Sequence, residues 1–148
     1  MVFLAVVSHF RIPAKAIGKN SLVRWPFGNL MRRLGIIPLE RDSGQGLVEQ
    51  MAVEFGAADS MALVIAPEGT RTPAKYWRSG FYRIAMAAEV PIVLAYIDGD
   101  NKVAGFGPTI HPTGDIDADF VAIREFFEPI RGLRPENQGP VRLRPETI

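Results

Sequence analysis

The chain has 148 residues, 47% of them hydrophobic, and a formal net charge of +1 at pH 7. A chain of this length usually forms one domain and buries about 68–70% of its unfolded surface. A net charge near zero gives no broad basic surface, so nucleic acid is not expected as a partner. The sequence has no cysteine, which excludes disulfides, thiolate metal ligands and a cysteine nucleophile, and is compatible with a cytoplasmic location.

The first seven residues are apolar, and the sequence begins without a polar lead. A signal peptide would place positive charge ahead of the apolar run, and a membrane-spanning helix would need about 20 apolar residues. The run therefore belongs either to a core helix or to an element that began before Met1. The second interpretation is favoured because no helix cap precedes the run.

The next predicted elements are a short strand over residues 15–19 and a helix from about Asn20 to Gly35. Pro26 suits the first turn of this helix, and Gly35 suits its end. The apolar face of the helix has residues spaced at i, i+3, i+4 and i+7, namely Phe27, Leu30, Met31 and Leu34.

Residues 36–41 are typical of a short strand and turn, and the loop after them leads into a second helix ending at Gly56. The apolar face of this helix comprises Leu47, Val48, Met51, Ala52 and Phe55. Residues 61–66 have the length and composition of a strand buried on both faces. Pro67 ends that strand, because proline cannot donate a hydrogen bond to a sheet ladder.

The second half of the chain continues the alternation of helices and strands. Ser79 is a suitable N-cap for a third helix, and residues 90–97 are typical of another buried strand. The Asp-Gly-Asp-Asn turn after that strand predicts a hairpin into residues 102–106. Asp115 or Asp117 can cap a last helix. The last helix would have on one face Phe120, Ile123 and Phe127.

Helices that alternate with buried strands indicate an α/β fold, here a single domain with a mostly parallel sheet flanked by helices. We assign this domain to residues 1–128. From Pro129 onward prolines alternate with arginines, which predicts an extended tail over residues 129–148 rather than a packed element.

The most informative segment is Glu68-Gly69-Thr70-Arg71, which follows the strand predicted over residues 61–66. Gly69 permits a tight turn, and the turn presents Arg71 at the carboxyl end of the strand. Ligands of open parallel sheets bind at that end. Because a planar guanidinium can bind phosphate or carboxylate through two hydrogen bonds, the segment predicts an anion site.

Three other segments accompany this motif along the chain. They are Gly35-Ile36-Ile37-Pro38-Leu39-Glu40-Arg41, Trp77-Arg78-Ser79-Gly80-Phe81 and Val90-Pro91-Ile92-Val93. Together the four segments resemble the glycerolipid acyltransferase family, of the lysophosphatidic acid (1-acylglycerol-3-phosphate) acyltransferase type, from about Lys15 to Phe127. The resemblance implies a glycerol-3-phosphate acyltransferase-like fold. It also implies that a glycerol-phosphate acceptor is bound by Arg41, Glu68, Gly69, Thr70 and Arg71.

The chemistry of these residues agrees with such roles. A phosphate held by arginine gains about 1.5–3 kcal/mol for each charge-assisted bond, and Thr70 can donate to a phosphate oxygen. A phosphate would repel Glu68, so Glu68 would orient Arg71 or Arg41, or accept backbone amides. Outside this context the two arginines would form ordinary surface ion pairs, which contribute little.

Two further residues are weaker candidates for the acceptor site. Ser79 begins a helix whose first amides can face an anion. Lys19 could reach a phosphate, and a solvated lysine is an equally good interpretation.

The resemblance also implies the reaction. A fatty acyl group moves from a thioester donor, acyl-CoA or an acylated carrier protein, to a hydroxyl of the acceptor, and no permanently bound cofactor and no metal are expected. Family members remove the hydroxyl proton with the histidine of a His-x-x-x-x-Asp motif. Here Ala14 stands five residues after His9 and Ile116 five residues after His111. We therefore expect a shortened, inactive chain that lacks the segment with the base.

A rival hypothesis is a non-catalytic binding or regulatory module that uses the same anion pocket. The coding sequence ahead of Met1 would distinguish the two, since an in-frame His-x-x-x-x-Asp there supports an enzyme. A nucleotide-binding domain is a third hypothesis. No Gly-x-x-x-x-Gly-Lys or Gly-x-Gly-x-x-Gly sequence follows a strand here, which counts against it.

Two aromatic segments leave their roles open. Trp25, beside Arg24, suits a membrane interface as well as a core, and tail arginines near anionic lipid would each add about 1 kcal/mol of attraction. Peripheral attachment to the cytoplasmic face of a membrane is therefore one expectation and a solvated tail the other. The segment Tyr76-Trp77-Arg78 would line the entrance for donor or acceptor, or form a hydrophobic lid.

Overall fold

The chain divides into two compact units that contain different kinds of sheet. The computed structural model describes residues 12–19, 35–39, 44–70 and 72–144. The first unit ends at Ile65 and the second begins at Ala66. The domain boundary expected at residue 128 stays a prediction, and residues 129–144 belong to the second unit.

The described residues of the first unit form a parallel sheet and one helix. Its elements in chain order are β1 (Ala14–Lys19), β2 (Ile36–Leu39), α1 (Gly44–Gly56) and β3 (Ala62–Val64). Strand β1 lies between the other two and pairs in parallel with both. Two short strands and a helix are thereby confirmed near their predicted positions. The helix predicted to begin at Asn20 lies outside the described residues, apart from its expected last residue, Gly35.

Gly35 has a structural reason of its own to be glycine. Its φ is +79°, and a Cβ at this position would lie 2.7 Å from the carbonyl oxygen of Ala14. The amide of Ala16 donates to the carbonyl of Gly35 at 2.9 Å. A side chain here would push β2 away from β1, so the residue expected to end a helix also permits the close approach of two strands.

Helix α1 packs through the face that the sequence predicts. Met51 is wholly buried, and Leu47, Val48, Ala52 and Phe55 are half-buried. On the partly exposed side, Nζ of Lys15 lies 3.1 Å from a carboxylate oxygen of Glu54 and joins β1 to the helix.

The strand expected over residues 61–66 is shorter and less buried than predicted. β3 covers three residues, Ala62–Val64, and each of them is half-buried. Among the described residues β3 pairs only with β1, so one edge of it has no ladder partner there. A strand buried on both faces needs neighbours and covering helices, and for β3 the prediction of complete burial is wrong.

The part of the second unit that the structure describes is built on a hairpin and two helices. Its elements are α2 (Gly80–Ala87), β4 (Ile92–Asp98), β5 (Val103–Ile110), α3 (Ile116–Phe127) and a single 3-10 turn (Pro135–Asn137). Mixed α and β structure is therefore confirmed.

The described residues do not form the one mostly parallel sheet that the sequence predicts. β4 and β5 pair antiparallel in a sheet of their own, because the short turn between them can join only antiparallel strands. Asp98 closes this turn by accepting from the backbone and side-chain nitrogens of Asn101, at 3.0 and 2.8 Å. The predicted hairpin is confirmed, and β5 extends beyond Phe106 to Ile110.

Strand β4 is buried on one face only, which corrects the expectation of a fully buried strand. Leu94 is 4% exposed, whereas its neighbour Val93 is 50% exposed. Such alternation is typical of an antiparallel sheet that packs one face on a core.

The core of the second unit is a cluster that we call the aromatic core cluster: Trp77, Leu94, Phe120 and Ile123. The Trp77 ring meets Phe120 and Phe127 edge to face, with centroids 5.7 and 5.4 Å apart, an arrangement that aromatic rings favour. Asp115 caps α3 as predicted, accepting from the amide of Ala118 at 3.0 Å.

The segment expected as an unpacked tail contributes to this core. Val141 and Leu143 pack against the aromatic core cluster, and Leu143 forms a parallel bridge with Trp77. Val141 and Leu143 are half-buried although prolines and arginines surround them, so the segment is packed at these two residues rather than free of the core. None of the helices within the described ranges is long and apolar enough to cross a membrane.

Candidate functional site

The described residues of the Glu-Gly-Thr-Arg motif, Glu68 to Thr70, form a tight turn at the start of the second unit. The amide of Gly69 donates to the carbonyl of Ala66 at 3.1 Å. Gly69 has a φ of +65°, which glycine adopts without strain. The amide of Arg78 donates to the carbonyl of Pro67 at 2.9 Å. The turn is thus fixed to the segment that leads into α2.

Thr70 continues the turn in a compact local arrangement. Its Oγ1 accepts from the amide of Thr72 at 3.2 Å and lies 2.9 Å from the hydroxyl oxygen of Thr72. Both threonines are exposed. The two hydroxyls therefore form a pair of small polar groups that a ligand can reach.

Glu68 accepts a backbone amide, which is one of the roles that the sequence leaves open for it. Its Oε1 accepts from the amide of Gly139 at 3.2 Å. Glu68 is half-buried, so this bond both satisfies the carboxylate and fixes the turn to a distant part of the chain.

Arg78 is a candidate that the site prediction missed. A Cβ on Gly69 would lie 3.0 Å from Nε and 3.3 Å from Cζ of Arg78. Arg78 is exposed, so its guanidinium lies against the turn and remains open to solvent. The available signal in the sequence is its position directly before Ser79 and close to the motif.

Ser79 stands at the N-cap of α2 without a side-chain capping bond. Its carbonyl accepts the amides of Tyr82 and Arg83, at 3.0 and 3.1 Å. Helix α2 therefore begins next to Arg78, and its positive dipole end adds to the positive charge of that guanidinium.

A groove with a volume of 470 Å³ adjoins the turn, and Glu68 and Thr70 line one side of it. Its apolar lining comes from β4 and from the residues around the end of α3: Ala95, Tyr96, Ile97, Phe127, Ile130 and Leu133. Its other polar residues are Arg134, Asn137 and Gln138. The groove therefore offers an apolar wall beside a polar turn.

The structure does not place the side chains of the remaining predicted site residues. Arg41 and Arg71 lie outside the described residues. Lys19 ends β1, with Leu39 as its partner, and its side chain is not among those described. Glu68, Gly69 and Thr70 are brought together with Arg78, while the binding roles of all seven predicted residues stay predictions.

Trp77 is not part of an entrance or a lid, which corrects the interpretation of the segment 76–78. It is 9% exposed, and it belongs to the aromatic core cluster. Tyr76 is covered by Arg142, whose Cζ lies 4.7 Å from the ring centroid. Tyr76 and Trp77 therefore both pack against other side chains.

The two histidines offer no catalytic pair within the described structure. His111 is exposed in the loop between β5 and α3. His9 lies outside the described residues. Among the described residues no group of three acidic, histidine or cysteine side chains could hold a metal ion.

A second polar cluster ties α2 to the start of α3. The Tyr82 hydroxyl donates a hydrogen bond to Asp119 at 2.7 Å and accepts one from the amide of Gly114 at 2.9 Å. The Asp119 carboxylate also accepts hydrogen bonds from the amide and the hydroxyl of Thr113. Burial and the bond to Asp119 raise the pKa of Tyr82. The bond from the amide of Thr113 lowers the pKa of Asp119, helped by the hydroxyls of Tyr82 and Thr113.

Comparison with protein families matches the first two thirds of the chain. A family model described as Acyltransferase covers residues 1–98 of the 148. The chain belongs to the acyltransferase family. No curated protein and no solved structure matches it.

Membership in the acyltransferase family confirms the resemblance drawn from the four sequence segments. The matched range contains the turn, Arg78 and Ser79, and ends with the last residue of β4. Acyl transfer is thus the general activity of the family to which the site belongs. The part of the groove formed by α3 and by residues 130–138 lies beyond the matched range.

Proposed function

We propose that this chain carries the acceptor-binding part of a glycerolipid acyltransferase with a glycerol-3-phosphate acyltransferase-like fold. The acceptor would be a glycerophosphate-like lipid with a free hydroxyl. The observation that supports this most is the Glu68–Thr70 turn, which lies beside a guanidinium and borders a groove with an apolar wall. Such a site suits a molecule with a phosphate at one end and a chain of methylenes at the other.

The phosphate would be bound by cations and hydroxyls around the turn. Arg78 is the described cation, and Arg71 and Arg41 are the further arginines that the proposal assigns to it. Thr70 can donate a hydrogen bond to a phosphate oxygen, and Lys19 and Ser79 are secondary donors. Each charge-assisted bond contributes about 1.5–3 kcal/mol.

Glu68 has a different role in this proposal. A carboxylate next to phosphate would repel it, and the Glu68 carboxylate already accepts the amide of Gly139. Glu68 therefore holds the turn rather than the ligand. Gly69 keeps the turn free of a side chain where the guanidinium approaches.

The apolar wall of the groove would take hydrocarbon. Phe127, Ile130 and Leu133 line it, and Leu133 is 58% exposed. Covering an exposed leucine with a lipid chain gains about 25 cal/mol for each Å² of apolar surface removed from water. This favours a lipid acceptor over a small alcohol.

The donor would be acyl-CoA or an acylated carrier protein, and no permanently bound cofactor is required. The acceptor hydroxyl loses its proton to a base, its oxygen forms a bond to the thioester carbonyl carbon, and the thiol leaves as the tetrahedral oxyanion collapses. The sequence has no His-x-x-x-x-Asp to supply the base. We therefore include in the proposal that this chain alone binds the acceptor without turnover, at the cytoplasmic face of a membrane.

Acceptor binding is tested by titrating the chain with sn-glycerol 3-phosphate and with a lysophosphatidate below its micellar concentration. Arg71→Ala and Arg78→Ala should each weaken binding about tenfold to a hundredfold, as the loss of an arginine–phosphate bond implies. Arg131→Ala is the matched control, because the one bond seen for Arg131 uses its backbone carbonyl. Equal affinity in all four proteins would refute the phosphate site.

A thioester-consumption assay separates the enzyme from the rival module. Binding of both acceptors without release of thiol supports an acceptor site that lacks its base, and fits a regulatory module equally. Robust turnover would refute the claim that the base is absent. Reading the coding sequence ahead of Met1 for His-x-x-x-x-Asp then decides between enzyme and module.

A further inference from the structure

The segment after the 3-10 turn is fastened along the residues that follow the Glu68–Thr70 turn. We call residues 139–143 the strap. The amide of Trp77 donates to the carbonyl of Arg142 at 2.8 Å, and the amide of Arg144, just after the strap, donates to the carbonyl of Trp77 at 3.2 Å. Leu143 and Trp77 form a parallel bridge. The strap is therefore paired through its backbone.

Side chains of the strap add to this pairing. Nε of Arg142 donates to the carbonyl of Lys75 at 3.0 Å, and its Cζ lies 4.7 Å from the centroid of the Tyr76 ring. Val141 and Leu143 face the aromatic core cluster and pack against it. The Arg142 guanidinium thus binds a backbone carbonyl and covers an aromatic ring, while the half-buried apolar residues on either side of Arg142 pack against the aromatic core cluster.

The strap begins at Gly139, where it reaches the motif. Gly139 is buried, and a Cβ on it would overlap the carbonyl of Ala74. Its amide donates to Oε1 of Glu68 at 3.2 Å across 71 residues of sequence. One oxygen of the motif's carboxylate is therefore bonded to a backbone amide of the strap.

We propose that the strap positions the Glu68–Thr70 turn for the acceptor, with Gly139 and Arg142 as positioning residues. The strap lies beyond residues 1–98, which the family model matches, so the match itself assigns no role to this contact. The proposal rests on the proposed function for its ligand. Its mechanical part, that the strap holds the turn, stands on the contacts alone.

The contact also specifies what Glu68 contributes. An amide donor needs an acceptor oxygen and does not require a full negative charge. Glutamine keeps such an oxygen and alanine removes it. Glu68→Gln should therefore keep acceptor affinity within about threefold, while Glu68→Ala should weaken it about fivefold to tenfold, the range for one hydrogen bond.

The experiment compares Glu68→Gln, Glu68→Ala, Arg142→Ala and Arg144→Ala as full chains. Arg144→Ala is the matched control, because it removes the same charge next to the strap and leaves the backbone bond to Trp77 in place. The readouts are the dissociation constant for sn-glycerol 3-phosphate and the hydrogen exchange of the Gly69 and Arg78 amides. A thermal melt records whether each variant is folded.

Under the proposal Arg142→Ala weakens binding about fivefold and speeds exchange of the Gly69 and Arg78 amides, and Arg144→Ala does neither. In the Glu68→Ala background Arg142→Ala should add little, because both substitutions release the same turn. An unchanged exchange rate of the Gly69 amide in Arg142→Ala would overturn the proposal. A double variant whose loss of affinity equals the product of the two single losses would overturn it as well. Absence of binding by the unmodified chain would refute the proposed function, and the exchange readout would still decide the role of the strap.

Discussion

The two units bury their apolar side chains in different ways. In the first, which has a parallel sheet of short strands, the buried side chains among the described residues are Ile37 on β2 and Met51 on the helix α1. In the second, α3 packs through edge-to-face aromatic rings against Trp77 and against Tyr96 of the antiparallel hairpin. The first unit lies wholly within the family match, whereas Phe120 and Ile123 of the second unit's core lie beyond it.

This difference shows where the candidate site obtains its rigidity. The Glu68–Thr70 turn belongs to the motif, yet the groups that hold it include Gly139 and a segment seated on the aromatic core cluster. A motif defines the ligand-binding groups, and residues far along the chain fix their geometry. Substitutions in the two units should therefore have effects of different size and on different properties.

The largest expected effect is loss of the aromatic core cluster. Phe120→Ala should lower the free energy of unfolding by about 3–5 kcal/mol, since a buried ring leaves a cavity. Met51→Ala in α1 should cost less, because Met51 lacks the aromatic pairing that Phe120 makes with Trp77. Urea titration followed by tryptophan fluorescence and circular dichroism measures both, with Phe120→Leu as the conservative control. An equal or larger cost at Met51 would contradict the comparison.

An intermediate effect is expected at the cluster of Tyr82 and Asp119. Asp119→Ala removes the acceptor of three hydrogen bonds and leaves the buried Tyr82 hydroxyl without its acceptor, which should cost about 1–3 kcal/mol. Asp59→Ala serves as the control, because it makes the same substitution at an exposed aspartate of the first unit. A cost near zero at Asp119 would mean that solvent replaces these bonds.

The pH dependence of stability provides a second measure of this cluster. The folded-state pKa of Asp119 is lowered from 3.8, so its contribution is present above pH 3.8 and disappears as the pH falls through the folded-state pKa. The pKa of Tyr82 is raised from 10.0, so its contribution is present below pH 10.0 and disappears as the pH rises through the folded-state pKa. The stability difference between unmodified chain and Asp119→Ala should shrink in acid, and that for Tyr82→Phe should shrink in base.

The smallest effect is expected at the ion pair of the first unit. Lys15 and Glu54 lie 3.1 Å apart with 33% and 41% of their side chains exposed, and exposed pairs contribute about 0–1 kcal/mol. A double-mutant cycle with Lys15→Met and Glu54→Gln, at low and at high salt, measures this coupling. A coupling above about 2 kcal/mol would show that this sheet depends on the pair.

Local signals in the sequence predicted the elements correctly where the controlling contacts are local. The helix ending at Gly56, the turn closed by Asp98 and Asn101, and the cap at Asp115 each depend on residues within four positions of one another. Apolar spacing also identified Met51 and Phe120 as core residues. Periodicity and turn chemistry are sufficient for such features.

Contacts between distant residues could not be predicted in this way. The partner of Glu68 is a backbone amide 71 residues away, and a backbone amide leaves no side-chain signature. The prolines and arginines around Val141 and Leu143 obscured the apolar residues that seat the strap. Arg78 was overlooked because its relevance comes from its packing on Gly69.

The most direct test of the central claim is to map the acceptor onto the chain. Uniformly labelled protein is titrated with sn-glycerol 3-phosphate, and amide chemical shifts are followed by NMR, with glycerol as the control lacking phosphate. We expect saturable shifts at Gly69, Thr70 and Arg78 with glycerol phosphate and none with glycerol. Shifts confined to the arginines around the end of α3, or the same response to glycerol, would contradict an acceptor-phosphate site at the Glu68–Thr70 turn.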